Sequence, residues 1–340
     1  MCSSDLGEIL PLFHVMRALP DGDVEEAEPM ARVNGSPVSA ALGADAAITA
    51  RRRFALATKV FALAVEAYGA PLAAYDAALL AYTRNPHEKT ALAALRRWLE
   101  GAPEAGRLSH QAPVSWRILP SVLAATEEAV SDLEVAAERS LASVTDNPVY
   151  ILPTQEAPLG RVISTGGYHN AQVTPAIDTV NARFADLVTL ADRQTMKLHE
   201  AEHLPENLAK PSGDPWGTTL LSFIQVGYGE EARHAARRTF LPPSEGGGIG
   251  GQNDVASPTM FAYQKHLKAG FCLEAALALL AVSASQALWA RDLGPAPPLK
   301  DFLDRVRQAV PPLEQRDARE LGEELQTLQE RFAAEVVGGD

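Results

Sequence analysis

The chain has 340 residues, 46% of them hydrophobic and 21% charged, and a formal net charge of −13. That length can bury a sizeable core in one large domain or two, and the acidic balance argues against nucleic acid or an anionic membrane as the main partner. Two cysteines, Cys2 and Cys272, cannot build a disulfide framework, which fits a reducing cytoplasm.

Aromatic residues at 6%, with abundant alanine, point to close-packed helices rather than sheets. Residues 1–6, Met1-Cys2-Ser3-Ser4-Asp5-Leu6, have no periodicity and read as a scar or artefact outside the fold. The reading leaves 7–340 as a single helical domain and expects its N-terminal part to lie upstream. Predicted in order are an apolar helical segment over 9–19, an acidic turn region over 20–29 and a long helix over 40–68. A short run over 79–83 ends at Arg84-Asn85-Pro86-His87, then 88–99 reads as a short amphipathic helix and 101–113 as a loop. From 119 to 142, apolar Val122, Leu123, Val130, Leu133 and Val135 sit at helical spacing among acidic residues, and Arg117 is read as the start of the same helix. Ser143-Val144-Thr145-Asp146-Asn147-Pro148 then forces a stop, because Asn and Asp bond their own backbone and the residue before Pro avoids helical geometry. One rigid element is therefore expected to carry a cation at one end and a carboxamide at the other.

Beyond Pro148, residues 149–152 and 161–163 are placed in a small hairpin around a Pro/Gly turn. A tight turn over 165–170 leads to a long helix over 171–199, a loop over 205–216 and a helix over 218–238. The glycine-rich stretch 242–251 reads as flexible, 258–289 as a second long helix, and 299–310 and 317–336 as amphipathic ends. The apolar run 271–290 has the length of a membrane span but contains Glu274, Ser283, Ser285 and Gln286, and its Ala/Leu pattern suits a helix inside a bundle. The fold class expected is all-α, an elongated bundle of long helices joined by short loops.

Taken singly, the polar landmarks have bland readings. Arg117 suits a helix-start salt bridge, and Asn34 and Asn147 suit turn and cap bonding. His199-Glu200-Ala201-Glu202-His203 matches the His-Glu-x-x-His pattern. On a helix both histidines would share a face and could bind zinc, with Glu200 as base and Glu230 or Glu231 as a third ligand. Leu204-Pro205, however, ends such a helix at once. The run from Glu245 to Gly251 follows a helix and lacks the lysine of a P-loop, so it reads as an active-site loop. His14, His87, His110 and His234 have no partner pattern and read as surface or structural.

In combination the segments say more. Gln111-x-Pro113-x-Ser115-x-Arg117-x-x-Pro120 resembles the Gln-Asp-Pro-Tyr-Ser-Leu-Arg segment of the aromatic amino-acid ammonia-lyases, the family of the histidine and phenylalanine enzymes. Ser143 to Pro148 matches that family's Ser-Val-Thr/Ser-Asp-Asn-Pro motif, and Asn34-Gly35-Ser36 is similar to its Asn-Gly-Thr. Gly166-Gly167-Tyr168-His169 resembles its Gly-Asn-Phe-His turn, and Gln252-Asn253-Asp254-Val255 its Gln-Asp-Val type segment. Five matches in order cover nearly the whole chain. The resemblance implies elimination of ammonia from Phe, Tyr or His to give an α,β-unsaturated acid, and a cytoplasmic homotetramer whose active sites are shared between subunits. It also implies a methylidene-imidazolone electrophile, which family members make from their own Ala-Ser-Gly. By that resemblance Arg117 holds the substrate carboxylate through a bidentate fork that a lysine would not reproduce. Asn34 and Asn147 supply neutral hydrogen bonds to cofactor and amine, and Gln111, Tyr168, Asn170, Gln252 and Asn253 face the amino-acid substrate.

The departures are specific. Pro11-Leu12-x-His14 matches the Pro-Leu-x-His that follows the cofactor tripeptide, so Asp5 and Leu6 fall where Ala and Ser belong. A gapped register puts Cys2-Ser3-Ser4-Asp5 there, with Ser4 in place of the glycine whose flexible amide must attack. In either register this chain is not expected to form the cofactor, which is assigned to a complete parent. Val114 replaces the segment's Tyr, Gly167 replaces the turn's Asn with Asn170 nearby, and Asn253 replaces the acid of histidine-specific members. The part bearing the family's loop Tyr base is not in this sequence, and the stretch from Leu19 to Asn34 is short. An aminomutase, an inactive homologue and a zinc hydrolase stay open as alternatives.

Overall fold

A computed structural model describes residues 34–104, 106–210, 218–247, 251–314 and 321–338. Residues 1–6, the predicted segments 9–19 and 20–29, the Pro11–His14 match, and residues 211–217, 248–250 and 315–320 lie outside the described residues. Among the described residues the chain is mainly helical, as its composition implied, with about 69% in helix and few strands.

Helix α1 spans Pro37–Tyr68, with proline at its first position, where a missing N–H costs nothing. It ends at Gly69, whose φ of 68° suits glycine. Gly69 N–H reaches the Glu66 carbonyl at 3.1 Å and Ala70 N–H the Val65 carbonyl at 3.1 Å, the two bonds of a Schellman cap. Helix α2, Pro86–Trp98, starts from Asn85, whose side-chain oxygen accepts from His87 N–H at 2.9 Å. Helix α3 is a single turn, Val114–Arg117, and helix α4 follows over Leu119–Ala142. Arg117 therefore closes a separate turn and does not begin the long helix, since Pro120 has no N–H to donate to the Trp116 carbonyl, which Tyr75 Oη binds instead.

The hairpin forms where it was predicted, β1 (Val149–Ile151) against β2 (Arg161–Ile163), antiparallel with Tyr150 opposite Val162. Helices α5 (Val173–Glu200), α6 (Leu220–Ala235), α7 (Thr259–Ala290), α8 (Lys300–Ala309) and α9 (Leu321–Gly338) complete the helical set among the described residues. A second antiparallel pair, β3 (Pro243–Gly247) with β4 (Asn253–Val255), occupies part of the stretch read as a flexible loop. Pro-Ser-Glu-Gly-Gly has neither alternation nor β-branched residues, so nothing local announces a strand. Its partner strand supplies the hydrogen bonds.

The described residues group into two compact units. One comprises residues up to Ile48, Ser131–Val180 and Arg237–His266; the other comprises Thr49–Val130, Asn181–Ala236 and Leu267 onward. Helices α1, α4, α5 and α7 contribute residues to both. Helix α7 is long and apolar enough to cross a membrane, yet 83% of its most apolar window is buried within the protein. In the second unit its small residues, among them Ala275, Ala276, Ala278, Ala281 and Ala284, are buried and permit close helix approach.

One charged pair sits inside that packing. Arg53 on α1 meets Glu274 on α7 at 2.8 Å, both buried, with the guanidinium also 5.9 Å from the Phe184 ring centroid. Burial pushes the Glu274 carboxyl up, and Arg53 opposes that shift. Gly270 makes room for the arginine, since a Cβ there would collide with the guanidinium. Arg53→Met would leave a buried carboxylate unpaired and is expected to lower unfolding stability by about 3–5 kcal/mol in urea titration. Adding Glu274→Leu is expected to recover much of that loss.

Candidate functional site

In the first unit, asparagines and hydroxyls gather around the end of α4. After Ala142 the chain turns, with Ser143 N–H on the Ser140 carbonyl at 3.3 Å and Asn147 N–H on Asp146 Oδ1 at 2.7 Å. Ser36 N–H donates to Thr145 Oγ1 at 3.0 Å, which ties the Asn34-Gly35-Ser36 segment to the Asp-Asn-Pro segment. Two motifs separated by more than 100 residues in the chain thus share one bond, and Asn34, Ser36 and Asn147 are all buried.

The orientation of Asn147 is determined by its neighbours. Its Oδ1 accepts from Thr165 N–H at 2.9 Å and from Ser164 Oγ at 3.1 Å. A backbone N–H can only donate, so the oxygen must face Thr165 and the NH2 is the half left for a ligand. Asn147 therefore offers donors and no acceptor, and its hydrogen bonds suit an oxygen rather than an ammonium group.

Gly166, Gly167, Tyr168 and His169 form the predicted turn, with Gly167 packed against Thr145 and Val144. Tyr168 is half-buried. Asn170 takes the left-handed conformation at φ 48°, which its short polar side chain tolerates, and its Nδ2 donates to Ser140 Oγ at 2.6 Å. That amide nitrogen is engaged with the protein. Asn253 lies on β4 opposite Gly247, and Gln252 is exposed just before it. Ser36 and His169 belong to the matched segments but were given no role from the sequence; their Oγ and Nε2 atoms are buried without a hydrogen-bond partner.

In the second unit, Gln111 is exposed and Arg117 projects from α3. Arg117 Nε donates to the Ala112 carbonyl at 2.9 Å, and its two terminal nitrogens carry no hydrogen bond among the described residues. The side chain lines a cavity of about 550 Å³ with Leu79, Tyr82, Arg84 and Ser121. Pinning Nε while leaving the fork open is the state in which an arginine can take a carboxylate end-on.

The His-Glu-x-x-His geometry does not form. Helix α5 ends at Glu200, so His203 lies beyond it and the two histidines share no helical face. His199 Nδ1 donates to the Thr195 carbonyl at 2.8 Å, which leaves Nε2 to accept from Thr218 Oγ1 at 2.9 Å. His203 Nε2 donates to the Tyr68 carbonyl at 2.8 Å, Glu230 pairs with Arg233 and Glu231 with Lys268. Among the described residues no group of three His, Cys, Asp or Glu side chains is arranged to hold a metal.

Burial holds the His199 pKa below its ordinary value of 6.5, against the raising effect of its bonds to Thr195 and Thr218. As pH falls, the unfolded chain takes up this proton first, so the stability contributed by neutral His199 is present at neutral pH and is lost progressively below the ordinary value. Thermal unfolding midpoints are expected to fall on acidification below that value, and His199→Gln is expected to flatten that slope.

The fold is shared with ammonia-lyases and aminomutases, which are helical bundles. Histidine ammonia-lyase from Trypanosoma cruzi superposes with a TM-score of 0.79 over 96% of this chain and 61% of its own, at 21% identity. The phenylalanine aminomutase of Pantoea agglomerans gives 0.81 over 95% and 66%, at 17% identity. Both likenesses are of fold. At the level of sequence the chain belongs to the aromatic amino acid lyase family, whose sequence model matches residues 16–308. Histidine ammonia-lyase of Streptomyces coelicolor is 30% identical over 237 residues, covering 66% of this chain and 44% of that protein. The corresponding enzyme of Anaeromyxobacter dehalogenans is 27% identical over 298 residues, covering 84% and 57%. The chain thus spans about half the length of the curated relatives it matches.

Proposed function

We propose that this chain is part of an ammonia-lyase-type protein that acts on an aromatic amino acid and releases an α,β-unsaturated acid. The observation that carries the reading is Arg117, anchored through Nε to Ala112 with its terminal nitrogens open, in a segment matching the family's carboxylate-binding motif. Asn147 supports it with an NH2 aimed away from Thr165, suited to donate to a substrate oxygen. This replaces the amine-side role that the sequence suggested. Asn34, tied to the same segment through the Ser36–Thr145 bond, is assigned to hold that segment's polar wall. Asn253, in place of an acid, favours Phe or Tyr over His. Exposed apolar side chains on α6, including Leu220 and Phe223, support an assembly in which other subunits cover them, a homotetramer by family analogy. A cytoplasmic setting is proposed from the cysteine count alone.

The electrophile does not fit this chain. Asp5-Leu6-Gly7 has no serine hydroxyl to leave as water, and the gapped register places Ser4 where the attacking glycine amide belongs. No elimination step is therefore derived for the sequence as it stands, and Val114 in place of the segment's Tyr supports a second reading: a homologue that binds the amino acid without deaminating it.

Absorbance of the unsaturated acid formed from Phe, Tyr or His separates the two. The chain as given is expected to form none, and the complete gene product, carrying Ala-Ser-Gly immediately before Glu8 and the upstream Tyr loop, is expected to form it. Inactivity of that complete protein, with intact binding of cinnamate, would select the binding homologue. Arg117→Gln is expected to weaken cinnamate binding at least tenfold in calorimetry, the loss of a charge-assisted fork worth about 1.5–3 kcal/mol. Unchanged affinity would remove the ground for both readings.

A further inference from the structure

Arg117 is held by a set of contacts that the family motif does not contain. The motif has Leu where this chain has Trp116, and Trp116 is fully buried. Its ring stacks on Tyr68 with centroids 4.0 Å apart and planes at 25°. Its Nε1 donates to the Ala64 carbonyl at 3.4 Å. Both backbone carbonyls just before Arg117 are also bound by side chains from elsewhere. Tyr75 Oη donates to the Trp116 carbonyl at 2.9 Å, and Gln194 Nε2 on α5 donates to the Ser115 carbonyl at 2.8 Å. Behind Tyr68 stands His203, edge-on at 4.9 Å and bonded to the Tyr68 carbonyl. The second histidine of the zincin-like motif thus serves as a buttress.

Gln194 is the least ordinary member of this set. It is fully buried, and its Oε1 has no partner. An unsatisfied buried carbonyl oxygen costs stability, on the order of 1–3 kcal/mol. An apolar residue of similar shape would avoid that cost while filling the same space. What Gln194 adds is its single donor on the Ser115 carbonyl, two residues from Arg117, in a one-turn helix too short to fix its own direction.

We propose that Gln194 is a positioning residue that, with the Tyr68–Trp116–His203 stack, sets the direction in which Arg117 presents its guanidinium fork to an aromatic carboxylate. The inference rests on the reading of Arg117 as carboxylate anchor. A bidentate contact needs the fork to be aligned, so loosening the Ser115 carbonyl should affect recognition of the charge while leaving recognition of the ring alone.

The test compares cinnamate with cinnamamide, the same skeleton without the charge, by calorimetry on the full chain. Gln194→Met is expected to weaken cinnamate binding roughly five- to tenfold, as for one lost hydrogen bond, with cinnamamide affinity unchanged and thermal stability equal or higher. If Gln194→Met does not fold, Tyr75→Phe, which frees the Trp116 carbonyl, is expected to give the same selective loss. Equal weakening of both ligands, or of neither, in a variant that folds overturns the proposal. Arg117→Gln measured alongside keeps the two ideas apart: if it too leaves cinnamate binding intact, the anchor reading has failed, and if it alone weakens binding, the positioning role has failed.

Discussion

The last carbonyls of a helix have no partners within it, and the way those of α1 are satisfied organises the second unit. Beyond the Schellman bonds at Gly69 and Ala70, the Ala67 carbonyl accepts from Arg291, the Tyr68 carbonyl from His203 and the Ala70 carbonyl from Arg107. Arg107 also pairs with Glu66, and Leu108 N–H reaches the Gly69 carbonyl at 2.9 Å. The loop from 101 to 113 is therefore fastened to the end of α1 before it delivers α3. Satisfying one helix terminus places the turn that carries Arg117. Burial and the nearby Arg107 charge lower the Arg291 pKa, and a guanidinium keeps its charge across physiological pH as a matter of its chemistry.

The first unit solves a different problem with different groups. Its chain reverses sharply at the end of α4, and short polar side chains replace the backbone partners lost there. Thr145, Ser164, Thr165 and Ser140 take up the N–H and amide groups of Ser36, Asn147 and Asn170. Away from this strip, Asp178 accepts from Thr239 Oγ1 at 2.8 Å and pairs with Lys265 at 3.1 Å, fixing the segment that enters β3. Neutral groups do the orienting at the asparagines, so the polarity presented there follows from geometry and not from titration.

How much of this was legible beforehand follows from what is local. Helix positions, the Asp-Asn-Pro stop and the β1–β2 hairpin could be read because periodicity, caps and turn residues are written in adjacent residues. Family membership was legible because five polar segments fall in order. The separation of α3 from α4 was signalled by Pro120, but Ile118 and Leu119, as apolar as a continuous helix would require, masked it. Strand β3 was hidden for the converse reason, because Gly and Pro carry no strand signal and the pairing comes from β4. The orientation of the Asn147 amide depends on Thr165, 18 residues away, and the role of Gln194 depends on Ser115, 79 residues away. Pattern names the residue type, while long-range partners decide what that residue can offer.

Cys272 illustrates what burial adds to a residue that composition barely registers. Its thiol lies within α7, and burial pushes it up to about 12. The folded chain therefore keeps it protonated and a poor nucleophile. Only transient separation of α7 from its neighbours would let alkylating reagents reach it as a thiolate. Its rate of labelling would then time the opening of this helix, making the cysteine a native clock for local unfolding.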